Sequence, residues 1–257
     1  MKLTLAFGFL LTAALYASVG FGGGSTYTAL LAISATPFTI IPIVSLLCNI
    51  CVVSGNSWRY LRGGLVSFSQ SWPLFLLSIP AAMLGGTLNV SEALFLGLLS
   101  LALLLAGMRM VFGQSHSSIE SKSSSHSSKI ICGILGGFIG FYSGIVGIGG
   151  GIFLAPVLYR IGWGSGQNIA ATCSLFILVN SVAGLTGQIT KTTGFTVHAE
   201  IFLYWPLILA VFIGGTFGNM LSLHFLKPDH LRRITGVVIL LVAIRIALKW
   251  LTLISTF

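Results

Sequence analysis

Acidic residues are scarce in this chain. Its 257 residues include four aspartates and glutamates against 13 lysines and arginines, and charged residues make up only 7% of the total. Soluble domains carry about a quarter charged residues. The chain is instead 55% hydrophobic, with a mean hydropathy of +1.01, which is typical of helices that face lipid. The composition predicts an all-α polytopic membrane protein and leaves no room for a separate soluble domain.

The motifs of common enzymes are also missing. There is no G-x-x-x-x-G-K-[ST] phosphate loop, no H-E-x-x-H helix and no G-x-S-x-G turn. Four acids are too few for a paired-carboxylate site, so we expect no enzyme activity, no cofactor and no metal. The net charge is +9, but the basic residues form no dense patch, and we expect no nucleic-acid partner. Basic residues of this kind collect at membrane edges. Those that do not would make the interior favourable for anionic substrates.

Cysteine is rare as well. The four cysteines lie in apolar segments, where they behave as small hydrophobic residues. Cys48 and Cys51 have the C-x-x-C spacing of redox motifs, but no alternation of strands and helices surrounds them. An intramembrane redox protein is therefore the least favoured alternative.

Glycine, in contrast, is abundant and repeated in a pattern. The segment Val19–Gly24 returns 127 residues later as Val146–Gly151, with five of six residues identical. Four glycines in five positions disfavour a helix, because each costs about 1 kcal/mol relative to alanine. A penalty placed at matching points of two halves predicts a broken helix in each, which is typical of transporter binding sites.

Apolar segments divide the chain into two similar halves. We expect an N-terminal repeat over 1–112, a flexible Ser/His-rich linker over 113–128 and a C-terminal repeat over 129–257. Each half holds four segments near the ~20 residues that span a bilayer, and the glycines interrupt the first segment of each. The predicted segments are 3–19 with 25–33, 37–55, 68–88 and 92–112, then 129–146 with 152–161, 167–188, 199–224 and 231–251.

The sequence predicts part of how the two halves are arranged. The repeat predicts a pseudo-twofold axis between them, but the Lys and Arg distribution does not decide between parallel and inverted topology. A polar, basic turn is expected over 56–64. Ala81 with Gly85, and Gly214 with Gly218, are small residues four apart, a spacing that favours close packing of membrane helices.

The glycine segments are candidate anion sites. Unwound backbone in a membrane has N–H groups without helical partners, and helices beginning at Ser25 and Ile152 would add a positive dipole end. A competing explanation, that the glycines only allow close helix crossing or form a hinge, stays open. The candidate residues are Gly20, Gly22, Gly23, Gly24 and Ser25 in the first copy, and Gly147, Gly149, Gly150 and Gly151 in the second.

Polar residues inside the spans are further candidates. Asn49 lies in mid-segment, and Thr172, Ser174 and Asn180 occupy the counterpart region; such side chains line a site or hydrogen-bond a neighbouring helix.

Three residues nearer the segment ends complete the candidates. Arg59 and Gln188 follow the second span of each half. Arg59 would pair an anion through a forked contact or lie at the headgroups. Glu200, close to His198, is a weak candidate for proton coupling.

Two G-x-G-G-G segments, each opening a four-span unit, resemble the TauE/SafE family of membrane permeases, also called the sulfite exporter family. The small-residue segments at Gly85 and Gly218 fit its pattern, and the resemblance covers nearly the whole chain except the linker. The first copy departs from the family, because Ser25-Thr26-Tyr27 stands where the second keeps an apolar run ending at Pro156.

The resemblance implies a secondary transporter in a bacterial inner membrane. It would move sulfite, an organosulfonate or a related sulfur-containing or carboxylate anion by alternating access. A passive anion channel would use the same amides without an alternating gate. The expected partners are the small anion and the lipid bilayer, and a homo-oligomer stays open.

Overall fold

The computed structural model describes residues 3–34, 36–112, 126–191, 201–221 and 228–255. Over these ranges the secondary structure is helical, without a β-strand, so the all-α prediction is confirmed. The helices are α1 (Leu3–Val19), α2 (Gly24–Ile33), α3 (Ile41–Arg62), α4 (Phe68–Thr87), α5 (Glu92–Phe112), α6 (His126–Val146), α7 (Gly151–Arg160), α8 (Gly166–Lys191), α9 (Trp205–Leu221) and α10 (Pro228–Ser255).

The prediction of a polar turn over 56–64 is wrong, because α3 continues to Arg62. Asn56 and Ser57 are buried inside the bundle. The amide Nδ2 of Asn56 donates to the carbonyl of Ala17, and Ser57 Oγ lies 3.1 Å from Ser174 Oγ. These bonds satisfy both side chains within a helix, so their polarity does not end it.

Two other boundaries also differ from the expected ones. Helix α6 begins at His126, three residues inside the predicted linker, and residues 113–125 lie outside the described ranges. Helix α9 begins at Trp205 rather than near residue 199, and before it residues 201–202 are helical and 203–204 form a turn. The segments 192–200 and 222–227 beside it are not described.

The surface of the bundle is apolar, while its interior holds polar side chains. Large hydrophobic residues such as Leu84, Phe138 and Phe217 are more than 60% exposed. Several polar residues on α2, α3 and α8, among them Ser25, Asn49 and Asn180, are at most 2% exposed. Soluble monomers do not expose apolar surface on this scale, so the outer surface fits a lipid environment. Helices α3, α5 and α8 are long and apolar enough to cross a membrane.

The helices of the two predicted repeats are interleaved. Helix α1 packs on α9, and α4 packs on α6; α3 packs on α8, and α5 packs on α10. Helix α4 also contacts α8, as α9 contacts α3. The ion pair between Lys249 of α10 and Glu92 of α5, 3.3 Å apart, lies on the exposed side of one of these contacts. Each of these contacts joins one repeat to the other.

Glycines allow these helices to approach closely. A Cβ added to Gly140 would lie 2.9 Å from Cα of Ser78 on α4, and one added to Gly136 would lie 2.7 Å from the carbonyl oxygen of Leu74. At the other contact, a Cβ at Gly214 or Gly218 would overlap a carbonyl oxygen of α1. The packing role predicted for the small residues at Gly85, Gly214 and Gly218 is confirmed.

The close contact between α4 and α6 predicts that an alanine lowers stability at Gly140 but not at Gly137. Gly140→Ala would press a methyl group against the backbone of Ser78, and we expect it to lower the free energy of unfolding by about 1–3 kcal/mol. Gly137→Ala is the matched control, since its methyl group would meet only ordinary contacts with Leu77 at 3.4 Å and beyond. Thermal unfolding in detergent measures both, and equal midpoints would contradict the close packing.

Candidate functional site

Both predicted helix breaks are present. Helix α1 ends in a Schellman motif, in which Gly20 has φ +82° and the N–H groups of Gly20 and Phe21 donate to the carbonyls of Ala17 and Tyr16. Helix α6 ends with Gly147 at φ +81°, whose N–H donates to the carbonyl of Ser143. Only glycine adopts such φ values readily, so the first glycine of each segment ends its helix.

The second break needs glycine more strictly than the first. Gly149 and Gly150 also have positive φ, at +84° and +77°. In the first break Gly23, which corresponds to Gly150, has φ −91°. The new helices then begin at Gly24 and Gly151, one residue earlier than the predicted starts at Ser25 and Ile152. Each break is therefore four residues long, over 20–23 and 147–150.

The breaks have unpaired backbone donors. The N–H groups of residues 22–25 and 148–152 have no acceptor among the described residues. The carbonyl ends of the preceding helices are bonded to side chains instead. Asn56 Nδ2 donates to Ala17 in the last turn of α1, and Gln188 Nε2 donates to Gly144 in the last turn of α6 at 2.7 Å. Some of these terminal carbonyls are satisfied while the N–H groups are not, so the local electrostatic potential is positive.

Asn49 connects the two breaks. It lies fully buried on α3, and its Nδ2 donates to the carbonyl of Ile148 in the second break at 3.0 Å. Its Oδ1 has no hydrogen-bond partner and points to the first break, where a Cβ added to Gly22 would lie 2.7 Å away. One side chain thus contacts both glycine segments, which lie 127 residues apart in sequence.

The glycines of the two breaks also lie against each other. A Cβ at Gly24 would overlap the carbonyl of Ile148, and one at Gly149 would lie 2.9 Å from Nδ2 of Asn49. The glycines therefore permit close contact, as the packing explanation expects. Gly22 alone among the unpaired glycines is half-exposed rather than buried.

The sequence reasoning missed three side chains beside the breaks. The hydroxyls of Tyr27, Ser143 and Ser181 are buried without a hydrogen-bond partner. Tyr27 lies next to Gly23, Ser181 next to Gly149 and Ser143 next to Gly150. Ser181 follows Asn180 directly, and Ser143 lies one helical turn before Gly147, so both positions could be found by counting turns from the predicted break.

The other predicted residues on α8 hydrogen-bond mainly within the protein near their own positions. Thr172 donates to the carbonyl of Asn168 and accepts from Nε1 of Trp163, while Ser174 bonds to Ser57. Asn180 is fully buried, and its Nδ2 donates to the carbonyl of Phe176 on its own helix. Its Oδ1 has no partner.

Charged side chains are absent from the described interior. Arg59 is exposed, lies ~15 Å beyond Asn49 along α3, and donates to the carbonyl of Asn219 at 3.1 Å. Every other Lys, Arg or Glu whose burial the structure describes is also exposed or half-buried. Glu200 and His198, the predicted coupling pair, lie outside the described residues.

Comparison with known proteins assigns a family to this arrangement. Residues 5–246 match the family "Sulfite exporter TauE/SafE". A protein described as a probable membrane transporter of Sinorhizobium fredii is 33% identical over 248 residues, covering 94% of this chain and 96% of its own length. A second probable membrane transporter, of Methanocaldococcus jannaschii, is 23% identical over 181 residues, covering 68% and 66%. No solved structure matches.

The bond from Asn49 to the second break predicts that replacing Asn49 lowers stability more than replacing Asn180, another buried asparagine. Asn49→Leu would leave the Ile148 carbonyl without this donor, and we expect it to lower the free energy of unfolding by about 1–3 kcal/mol. Asn180→Leu is the matched control, because its amide bonds only within α8. Thermal unfolding of both purified variants in detergent tests this, and a larger loss for Asn180→Leu would contradict the bridging role.

Proposed function

The chain belongs to the TauE/SafE sulfite exporter family, and from that membership and the geometry of the two breaks we propose that this membrane transporter carries a small anion. Sulfite, an organosulfonate or a related sulfur-containing or carboxylate anion is the proposed substrate. It binds between the halves, near Asn49. In this proposal the protein lies in a bacterial inner membrane and moves the anion without changing it covalently.

The observation that carries this proposal is the two sets of unpaired N–H groups, one at the start of α2 and one at the start of α7. Helix N-termini bind anions because free N–H groups and the positive end of the dipole act together. Here two such ends lie on either side of one buried amide. Desolvating nine N–H groups without any ligand would be costly, so an anion that accepts from some of them gains a large part of that energy.

Alternating access is supported by how the helices pack. If α1–α5 and α6–α10 are exchanged, the contact of α1 with α9 becomes that of α6 with α4, and the contact of α3 with α9 becomes that of α8 with α4. The contacts of α3 with α8 and α5 with α10 map onto themselves. This pattern is what a pseudo-twofold axis between the halves requires, and two related halves can move against each other around a fixed site.

The proposed ligand groups are the amides of the breaks with nearby side chains. The first break provides the N–H groups of Gly22, Gly23, Gly24 and Ser25, and the second those of Gly149, Gly150 and Gly151. Asn49 orients the anion, and Asn180 and the Ser181 hydroxyl lie beside it. Gly20 and Gly147 act by ending their helices, while Thr172, Ser174 and Gln188 hold the surrounding helices in place.

The glycines give a direct test of this proposal. Gly149→Val would crowd Asn49 and Gly22→Val would crowd its Oδ1, so we expect both to abolish anion uptake into proteoliposomes while membrane insertion persists. Gly162→Val is the control for backbone strain: Gly162 also has positive φ, at +66°, but an added Cβ would meet nothing within 4 Å. Uptake of labelled sulfite by all three is measured, and normal uptake by both crowded variants would place the site elsewhere.

Flux measurements separate a transporter from a channel. A transporter shows saturable uptake that an opposing anion gradient accelerates, because the site faces one side at a time. A channel shows unitary currents in a planar bilayer and no acceleration by exchange. We expect the first behaviour, and resolvable unitary currents would refute alternating access.

The redox alternative has its own test. Cys48 is fully buried and Cys51 half-buried, and both are free thiols. We expect the double variant Cys48→Ser, Cys51→Ser to keep the uptake rate of the unmodified protein, since neither thiol lies among the proposed ligand groups. Loss of uptake, with normal yield and thermal stability, would favour a role for the thiols.

A further inference from the structure

We propose that the site between the two breaks selects a singly charged anion that also carries a hydrogen-bond donor, such as a hydroxylated sulfonate or carboxylate, over dianions and over anions without a donor. This inference rests on the proposed function and specifies the chemistry of its substrate. Two separate features carry it: among the residues whose burial the structure describes no Lys or Arg side chain is buried, and the oxygen of Asn49 has no partner.

The charge preference follows from what neutralises the ligand. In the described interior only partial charges are available, from backbone N–H groups and amide or hydroxyl dipoles, because the described Lys and Arg side chains are exposed or half-buried. The cost of removing an ion from water grows with the square of its charge, so a dianion costs roughly four times as much as a monoanion. Partial charges offset the desolvation cost of a monoanion but not that of a dianion.

The donor preference follows from Asn49. Its Oδ1 is fully buried, has no hydrogen-bond partner and lies at the first break, where a Cβ added to Gly22 would be 2.7 Å away. A fully deprotonated anion offers acceptors to the N–H groups but nothing to this oxygen. A ligand with a hydroxyl group satisfies both, since its charged end accepts from the amides and its O–H donates to Oδ1.

The described conformation is closed at this point. The short separation between Gly22 and Asn49 leaves no space for a ligand between them, so binding takes place when the two breaks move apart at their glycines. Closure leaves Oδ1 without a partner, which raises the energy of the empty closed form. A ligand donor that removes this cost stabilises the bound form relative to it.

A matched series of ligands tests the proposal on the unmodified, full-length protein. Ethanesulfonate, 2-hydroxyethanesulfonate and ethane-1,2-disulfonate share a two-carbon chain and differ in the donor or in the charge. Apparent dissociation constants come from ligand-induced thermal shifts in detergent at neutral pH, where all three are fully ionised. Propanoate and 3-hydroxypropanoate repeat the comparison with a carboxylate.

We expect the hydroxylated anion of each pair to bind about tenfold more tightly than its partner, the value of roughly one hydrogen bond to a buried acceptor. The disulfonate is expected to give no shift at concentrations that saturate with 2-hydroxyethanesulfonate. Equal affinities within both pairs would overturn the donor preference, and disulfonate binding as tight as ethanesulfonate would overturn the charge preference. If none of the five anions binds, the selectivity is overturned, and uptake of labelled sulfite then decides anion transport separately.

Variants assign the effect to Asn49. Asn49→Leu removes the acceptor, and we expect it to lose the preference for the hydroxylated member of each pair. Asn56→Leu is the control, because Asn56 is a second buried asparagine on α3 whose amide also donates to a carbonyl, that of Ala17. It should keep the tenfold preference. A preference that survives in Asn49→Leu would contradict the assignment, and the wild-type comparison stands even if that variant unfolds.

Discussion

The requirement that membrane-embedded backbone find its hydrogen bonds inside the protein governs this structure. The two glycine breaks violate that rule mainly at their N–H groups. Carbonyl groups at the ends of α1 and α6 are bonded to Asn56 and Gln188, whereas the amide groups that follow are left without partners. Several features serve this arrangement: left-handed glycines stop the first helix of each pair, and close packing brings the two breaks to the same buried asparagine.

Polarity is distributed accordingly through the rest of the protein. Large apolar side chains cover the surface, and buried hydroxyl and amide groups occupy the interior beside α2, α3 and α8. The described interior uses dipoles instead of formal charges. Dipoles let an ion enter and leave without breaking a strong ion pair, which suits a protein that must release what it binds.

Much of this could be predicted from the sequence, and the exceptions have identifiable causes. The bounds of α1 and α5 were predicted correctly, because their apolar runs are uninterrupted and end at a glycine or at Phe112. The breaks were found because glycine marks backbone that is not helical. The end of α3 was missed since Asn56 and Ser57 are polar, and only their tertiary partners show that they are buried. Tyr27 was missed because a tyrosine in a membrane helix looks like core until its hydroxyl is found unpaired.

The interleaved packing of the repeats has a consequence for biosynthesis. Helix α1 has α9 as its main neighbour, and α4 has α6, so the faces of α1 and α4 that pack there remain uncovered until the ribosome has delivered the second repeat. During that interval lipids, the insertion machinery or a membrane chaperone must shield those faces. Assembly of the bundle is therefore a late event, completed only after nearly the entire polypeptide has entered the bilayer.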